Sequence, residues 1–239
     1  MTYRILWLYP KEMNLYGDRG NLMILKQRLA WRGIDAEIDE LNVNDVIDLS
    51  CYNLIYMGGG PDSEQRYIYE DCLNRKADFQ KAYDQGTFFV LICGGYQLFG
   101  TYYEDQFHQR IEGVSMFDYH TESGDSKRCI GNLVVDTVLD GEPITLVGFE
   151  NHGGQTVGVK QTLGRVRFGH GNSFNSGLEG FLDKQVIGTY MHGSLLSKNP
   201  ELADYILRHS LAEETRLEPL DDSLEAKAKA QLIERFMKP

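Results

Sequence analysis

A cysteine followed by two glycines is the segment of this sequence best suited to covalent chemistry. Cys93 follows the apolar run at residues 87–92 and precedes Gly94 and Gly95. Glycines after a nucleophile permit a tight strand-to-helix turn and let the backbone approach a substrate. The positive end of the following helix favours the reactive thiolate. The pattern predicts a nucleophile at the end of a buried strand, and a buried structural cysteine is the open alternative.

A thiolate nucleophile also needs a general base and donors for the oxyanion. His192 follows another strand-like run, and three glycines at residues 58–60 follow a third. Catalytic groups collect at the carboxyl edge of open α/β sheets, where these runs are expected to end. We expect His192 to be the base and the backbone N–H groups of Gly59, Gly60 and Gly94 to bind the oxyanion. A surface-loop histidine and a simple glycine turn remain open for these segments.

The elements that must position these residues form a strand–helix alternation in the first half of the chain. Its apolar runs are typical of strands buried on both faces of a parallel sheet. The alternation predicts an α/β fold with three layers, in which helices flank a mostly parallel sheet. Asp18 is expected to cap the helix that follows it. Strands are expected at residues 3–9, 34–38, 52–57, 87–92 and 185–191, and helices at 62–82, 200–209 and 223–236.

The pattern of apolar and polar residues changes after residue 111. Short alternating segments at 133–135 and 144–149 lie between glycine turns, and they predict antiparallel strands added to one edge of the same sheet. The glycine-rich stretch 169–180 is expected to be a long surface loop. Because we find neither a linker nor an internal repeat, we expect a single domain over residues 1–239.

Composition excludes several classes of protein. The 239 residues carry 35 acidic and 24 basic side chains, a net charge of −11 that argues against a general nucleic-acid binder. The four cysteines form neither a CxxC pair nor a cluster with zinc spacing, so no metal site and no disulfide framework are expected. No apolar run approaches the ~18 residues of a membrane span. These features favour a cytoplasmic protein with reduced thiols.

Three ordered motifs, taken together, resemble those of the class I glutamine amidotransferases. Residues 93–97 fit the Cys-x-Gly-x-Gln elbow of that family, residues 57–62 resemble its oxyanion loop, and residues 188–193 resemble its histidine segment. The histidine segment and residues 148–152 have the form of the branch similar to cobyric acid synthase. Residues 13–21 narrow the resemblance to glutaminase subunits that work with a Mur-ligase-like partner of the MurT type. The resemblance extends over nearly the whole chain.

This resemblance implies a function. The chain would hydrolyse glutamine and pass ammonia to the Mur-ligase-like subunit of a heterodimer, which amidates the D-glutamate α-carboxylate of lipid II. No cofactor is expected in this chain, while ATP and Mg²⁺ are expected on the partner. Nucleic acid is not an expected partner, and a membrane is expected only indirectly through lipid II. Gln97 and Gly60 would contact the substrate, and the bidentate fork of Arg128 makes it our candidate for the α-carboxylate.

One departure from the family pattern concerns the acid that orients the histidine. Most class I members have a glutamate two residues after the histidine, but here that residue is Ser194. Either Glu150 or the partner subunit could supply the acid. We expect the partner to supply it, because a base oriented only in the complex would limit wasteful hydrolysis. Three other functions stay open: an amidotransferase for another acceptor such as cobyrinic acid, a non-catalytic regulatory module, and a thiol peptidase or γ-glutamyl hydrolase.

Overall fold

The computed structural model describes residues 2–125, 127–212 and 215–238. Within these ranges the chain forms fifteen strands and seven α-helices. The strands are β1 (Tyr3–Leu8), β2 (Ala36–Leu41), β3 (Leu54–Met57), β4 (Phe88–Ile92), β5 (Tyr102–Glu104), β6 (Arg110–Glu112), β7 (His120–Glu122), β8 (Cys129–Leu139), β9 (Glu142–His152), β10 (Gln155–Val157), β11 (Gly164–Phe168), β12 (Leu178–Glu179), β13 (Phe181–Asp183), β14 (Val186–Thr189) and β15 (Met191–His192). The helices are α1 (Arg19–Ala30), α2 (Asp62–Asn74), α3 (Lys76–Asp84), α4 (Gly94–Phe99), α5 (Leu195–Lys198), α6 (Pro200–Ser210) and α7 (Ser223–Met237).

A six-stranded sheet forms the centre of the fold, in the order β13-β14-β4-β3-β1-β2. All neighbouring strands are parallel except β13, which runs antiparallel to β14. Every residue of β3, β4 and β14 is buried, which explains their unbroken apolar sequences. The prediction of an α/β fold with a mostly parallel sheet and an antiparallel edge is confirmed.

The second half of the chain departs from the prediction. Of the antiparallel strands only β13 joins the edge of the central sheet, while β5 to β12 and β15 form two separate sheets. One has the order β10-β7-β5-β6, and the other has the order β12-β11-β8-β9-β15. Alternating apolar residues indicate a half-buried strand but do not reveal its neighbour, so the sequence could not assign these strands to sheets. The long hairpin of β8 and β9 is the main element of the five-stranded sheet.

Two local predictions also need correction. The helix expected at 62–82 is divided into α2 and α3 at Arg75, which leaves helical geometry with φ −89° and ψ 4°. The stretch 169–180 is not simply a surface loop, because Gly171 and Asn172 are buried and β12 lies within it. Its backbone instead serves as a donor to a buried carboxylate described below. The single domain over 1–239 stays a prediction, since several of its residues lie outside the described ranges.

No helix in the described part of the chain combines the length and the apolar character that crossing a membrane requires.

Candidate active site

Cys93 occupies a strained turn between β4 and α4. Its φ of +49° and ψ of −101° lie in a region that residues with a side chain rarely adopt. The turn is held on one side by the Cys93 N–H, which donates to the Thr189 carbonyl at 2.8 Å. On the other side, a Cβ on Gly95 would lie only 2.9 Å from the Met57 carbonyl oxygen. The predicted elbow is therefore present, and a glycine is needed where it contacts β3.

His192 lies at the end of β15, and its side chain is fully buried. Its Nδ1 is 3.1 Å from Oδ2 and 3.2 Å from Oδ1 of Asp18, whose side chain is equally buried. Among the described residues, its Nε2 has no hydrogen-bond partner. A Cβ on Gly59 would meet the His192 Cε1 at 2.6 Å and the Cys93 Cβ at 3.2 Å, so both side chains approach that glycine. We call Cys93, His192 and Asp18 the Cys93 cluster.

Asp18 provides the carboxylate beside His192, and the sequence analysis did not identify it. Asp18 was predicted to cap α1, but its side chain makes no capping hydrogen bond and instead accepts from the Gly59 N–H at 2.9 Å. The alternative acid, Glu150, accepts from the His170 and Gly171 N–H groups and does not contact His192. Asp18 therefore places a carboxylate of this chain on the histidine, and the expected contribution of the partner subunit stays a prediction.

The packing of the start of α1 explains why the carboxylate beside His192 comes from residue 18 and not from residue 194. A Cβ on Gly20 would lie 3.0 Å from the Cβ of Ser194, so α1 packs against the residue that replaces the family's glutamate. The turn just before α1 then places Asp18 beside the histidine. Residues 13–21 had carried part of the resemblance, but no spacing rule connects position 18 with position 192.

The charges around His192 favour its protonated form. Burial by itself lowers the pKa of His192, but the negative charges of Cys93 and Asp18 outweigh burial and raise this pKa to about 10. The protonated ring beside Cys93 is therefore favoured. That state can give a proton to a leaving group.

The oxyanion prediction needs one correction. The Gly59 N–H already donates to Asp18, so it is not available for an oxyanion. The role of Gly59 is instead to make room for the histidine and cysteine side chains. No acceptor in the described part of the chain is paired with the backbone N–H of Gly60 or Gly94, and these two remain candidate donors.

A cavity of about 650 Å³ connects the predicted site residues. The Arg128 guanidinium reaches it and donates to the Asn151 side-chain oxygen through Nε at 3.1 Å and Nη2 at 2.9 Å. The buried Gln97 amide lies in the wall and donates to the Tyr190 hydroxyl at 3.3 Å. The predicted residues that line the cavity are Cys93, His192, Gly60, Gln97 and Arg128.

Tyr16 is a cavity residue that the sequence analysis missed. Its φ is +54°, and its ring packs against His192 in a T-shaped arrangement with a distance of 4.9 Å between ring centroids. Its hydroxyl accepts a hydrogen bond from the Asn151 Nδ2 at 2.8 Å. Tyr16 and Asn151 thus link the base to Arg128, and no sequence pattern pointed to this contact.

A second cluster of potential ligand atoms lies outside these contacts. Among the described residues, Cys129, Glu150 and His152 form the one group of cysteine, histidine and carboxylate side chains close enough to hold a metal ion. The sequence analysis expected no metal site. We call these three residues the Cys129 cluster.

The fold and the Cys93 cluster together have an arrangement that suits a thiol-dependent hydrolase, with a cysteine, a histidine and a carboxylate at one sheet edge. The chain belongs to the CobB/CobQ-like glutamine amidotransferase family, whose domain matches residues 4–200. It is therefore a glutamine amidotransferase.

The chain has relatives with more specific names. It is 37% identical to the lipid II isoglutaminyl synthase (glutamine-hydrolyzing) subunit GatD of Staphylococcus aureus, over 94% of this chain and 92% of the relative. It is 35% identical to the subunit of the same name in Streptococcus pneumoniae, over 83% of this chain and 76% of the relative. A probable cobyric acid synthase of Methanocaldococcus jannaschii is 29% identical, over 72% of this chain and 36% of the relative.

Solved structures agree on the fold. A crystal structure of a glutamine amidotransferase has a TM-score of 0.55 at 14% identity, covering 86% of this chain and 98% of that one. The glutaminase domain of Trypanosoma brucei CTPS, with bound acivicin, has a TM-score of 0.52 at 11% identity, covering 91% and 97%.

Proposed function

We propose that this chain hydrolyses glutamine through Cys93 and delivers the ammonia to a Mur-ligase-like partner that amidates lipid II. The observation that carries the catalytic part is the Asp18 carboxylate on Nδ1 of His192. A carboxylate in this position fixes the tautomer of the ring and stabilises its cation, and it leaves Nε2 for the reaction.

The first half of the reaction forms a thioester. The Cys93 thiolate attacks the carboxamide carbon of glutamine, and the electron pair displaced onto oxygen is stabilised by the N–H groups of Gly60 and Gly94. The tetrahedral intermediate then collapses and its C–N bond breaks. His192 gives its Nε2 proton to the departing nitrogen, which leaves as ammonia.

The second half returns the enzyme to its starting state. A water molecule attacks the thioester carbon and loses a proton to Nε2 of His192, and the C–S bond breaks. Glutamate leaves, and the thiolate–imidazolium pair is restored. The sum is glutamine plus water giving glutamate plus ammonia.

Substrate binding is assigned to the cavity side chains. Arg128 has a planar pair of donors that suits the α-carboxylate of glutamine. Its partner Asn151 holds the guanidinium in place through two contacts to one oxygen. Gln97 and Gly60, which line the same cavity, are proposed to contact the remainder of the amino acid.

The acceptor and partner are proposed from the relatives. Two relatives named as subunits of lipid II isoglutaminyl synthase have 37% and 35% identity to this chain, compared with 29% for a probable cobyric acid synthase. We infer a cytoplasmic heterodimer in which the Mur-ligase-like subunit holds ATP and Mg²⁺ and activates the D-glutamate α-carboxylate. An amidotransferase acting on cobyrinic acid is the second candidate, favoured by the match of residues 4–200 to the CobB/CobQ-like domain.

The catalytic part is tested by measuring glutamate and ammonia release from glutamine by the purified chain. We expect measurable activity without the partner, because Asp18 belongs to this chain. Replacement of Cys93 with Ala should lower the rate by at least about 10³-fold. The matched control is Cys51→Ala, since Cys51 is an exposed free cysteine. Equal activity of Cys93→Ala and the control would refute the assigned nucleophile.

The acceptor is tested with the Mur-ligase-like partner, ATP, Mg²⁺ and glutamine labelled with ¹⁵N in its side-chain amide. Mass spectrometry should find the label in lipid II, and the transfer should disappear with Cys93→Ala. Labelling of cobyrinic acid with none in lipid II would select the second candidate. Release of an amino acid from peptides without ammonia would instead indicate a thiol peptidase.

A further inference from the structure

The Cys129 cluster is created by the register of the β8–β9 hairpin. Cys129 and His152 are directly opposite each other in these antiparallel strands. Glu150 lies two residues before His152 and therefore projects from the same face of β9. One ligand atom from each residue lies within 4.8 Å of the others, and all three residues are buried. A sequence separation of 21 residues between Cys129 and Glu150 concealed this arrangement.

The hydrogen bonds of His152 leave one ring nitrogen as an unpaired acceptor. Its Nδ1 lies 2.7 Å from the Gly154 carbonyl oxygen, and because a carbonyl can only accept, Nδ1 is the donor. In the neutral ring, Nε2 then carries a lone pair. That atom is buried and has no hydrogen-bond partner within the described residues.

The group opposite this lone pair is also an acceptor. Oε2 of Glu150 lies 3.6 Å from Nε2 of His152. Both carboxylate oxygens already accept backbone hydrogen bonds, Oε1 from His170 at 2.8 Å and Oε2 from Gly171 at 2.9 Å. Two lone-pair atoms that face each other away from water repel, unless a positive charge lies between them.

The donor set and its spacing fit a transition-metal ion. Thiolate, imidazole and carboxylate are the three side-chain ligands of zinc, with bonds of about 2.0–2.3 Å, which place tetrahedral ligands roughly 3.3–3.8 Å apart. The separation of 3.6 Å between the His152 and Glu150 atoms lies in this range. The Cys129 sulfur needs to move by only about 1 Å to complete the set.

The neighbouring groups also match a metal site. A histidine ligand usually donates its other N–H to a carbonyl or carboxylate, as Nδ1 of His152 does to Gly154. The Gln155 amide lies 3.8 Å from the Cys129 sulfur and is able to donate to a thiolate. His152 also lines the cavity of about 650 Å³ described above, so the cluster lies next to that cavity.

We propose that Cys129, Glu150 and His152 bind one divalent transition-metal ion of the zinc class. The ligands are the Cys129 sulfur, Glu150 Oε2 and His152 Nε2, with water in the fourth position. Binding displaces the thiol proton of Cys129 to solvent, and no oxidation or reduction is involved. The proposal replaces the expectation that this chain has no metal site.

The test uses the full chain after chelator treatment, titrated with Zn²⁺ and with Co²⁺. We expect one equivalent to bind, with the near-ultraviolet thiolate-to-cobalt absorption of a Co²⁺–cysteine bond. Cys129→Ser should abolish that absorption and weaken Zn²⁺ binding at least about 10-fold in a competition assay with a chromophoric chelator. His152→Gln should weaken binding by at least a similar factor. Cys51→Ser, which changes an exposed cysteine, is the matched control and should bind like the unmodified chain.

Several results would overturn the proposal. They are binding of much less than one equivalent, an unchanged cobalt spectrum in Cys129→Ser, or an NMR spectrum showing both His152 nitrogens protonated after Zn²⁺ addition. X-ray absorption of the zinc-loaded, unmodified chain gives a check that needs no variant, because a first shell without sulfur would also refute it. Metal binding is measured without glutamine, so its failure is distinct from a failure of the glutaminase assignment.

Discussion

The Cys93 cluster and the Cys129 cluster each combine a thiol, an imidazole and a carboxylate, but their histidines are connected in opposite ways. In the Cys93 cluster, Nδ1 of His192 faces the carboxylate, and Nε2 is left for chemistry. In the Cys129 cluster, Nδ1 of His152 is bonded to a backbone carbonyl, and Nε2 faces the carboxylate. A carboxylate on Nδ1 orients a base, whereas a carboxylate beside Nε2 forms a pair of ligands.

The backbone conformation also differs between the two cysteines. Cys93 has a φ of +49° in a turn, where strain and the start of a helix present a nucleophile. Cys129 begins a regular strand, and its position follows directly from strand pairing. Residue types alone therefore do not define a catalytic triad. The group that faces each histidine nitrogen and the backbone conformation of the cysteine distinguish a reactive site from a binding site.

The largest expected effect comes from exchanging the two carboxylates for amides. Asp18→Asn removes the charge that stabilises the imidazolium, so we expect kcat for glutamine hydrolysis to fall about 10³-fold. Glu150→Gln leaves the Cys93 cluster intact, and it should reduce kcat far less. It should instead weaken the hydrogen bonds to His170 and Gly171 and lower the free energy of unfolding by about 1.5–3 kcal/mol. Steady-state kinetics and denaturant titration measure both quantities.

The control for this pair is Asp78→Asn, which alters an exposed carboxylate on α3. It should leave kcat unchanged and lower the free energy of unfolding by less than about 1 kcal/mol, because an exposed carboxylate in the first turn of a helix interacts only weakly with the helix dipole. If Glu150→Gln reduced kcat as strongly as Asp18→Asn, the assignment of the catalytic role to the Cys93 cluster alone would be wrong. Circular dichroism of each variant excludes loss of fold as the cause.

The pH dependence provides a second way to separate the clusters. Because the folded-state pKa of His192 is raised to about 10, the proton needed by leaving ammonia should stay in place until the pH approaches that value. The pH profile of kcat/KM, which reports the free enzyme, should therefore keep its alkaline limb near pH 10. Asp18→Asn removes a negative charge and should move that limb to lower pH, whereas Glu150→Gln should not.

The same pKa has a consequence for stability. The folded value lies above the unfolded value of about 6.5, so the imidazolium stabilises the fold fully below pH 6.5. This contribution is lost as the pH rises through about 10. Urea unfolding between pH 6 and pH 10 should show a decline, and the decline should be smaller in Asp18→Asn. An identical decline in both proteins would argue against the ion pair.

How much the sequence could predict differs between the parts of the site. The elbow at Cys93 and the strand before it could be recognised because their signals are local. Asp18 could not, since its role depends on how α1 packs against Ser194, and no local pattern records that contact. The Cys129 cluster depends on a strand register, which an alternating sequence does not specify. The hydrogen bond from the Gly59 N–H to Asp18 could not be predicted either, because a run of glycines indicates a flexible loop but not its hydrogen-bond partners.

A smaller effect is expected on the other face of the hairpin. Side chains alternate along a strand, so Asn151 lies between the ligands Glu150 and His152 and bonds instead to Arg128. Arg128→Ala should raise KM for glutamine roughly 10-fold, as expected for losing a charged hydrogen bond, with a smaller change in kcat. Arg167→Ala, which removes an arginine on β11, is the control. A fall in kcat with KM unchanged would contradict a role in binding the substrate.

The smallest effect is expected at Tyr16, which touches both His192 and Asn151. Tyr16→Phe keeps the ring packed against His192 but removes the hydroxyl that accepts from Asn151. The lost hydrogen bond is worth about 0.5–1.5 kcal/mol, so KM should rise roughly 2- to 10-fold while kcat is unchanged. A double-mutant cycle with Asn151→Ala isolates this contact, because the two effects should not add if Tyr16 acts through Asn151. Tyr67→Phe, on an exposed tyrosine, should have no effect. Additive effects would show instead that Tyr16 and Asn151 act on the substrate independently.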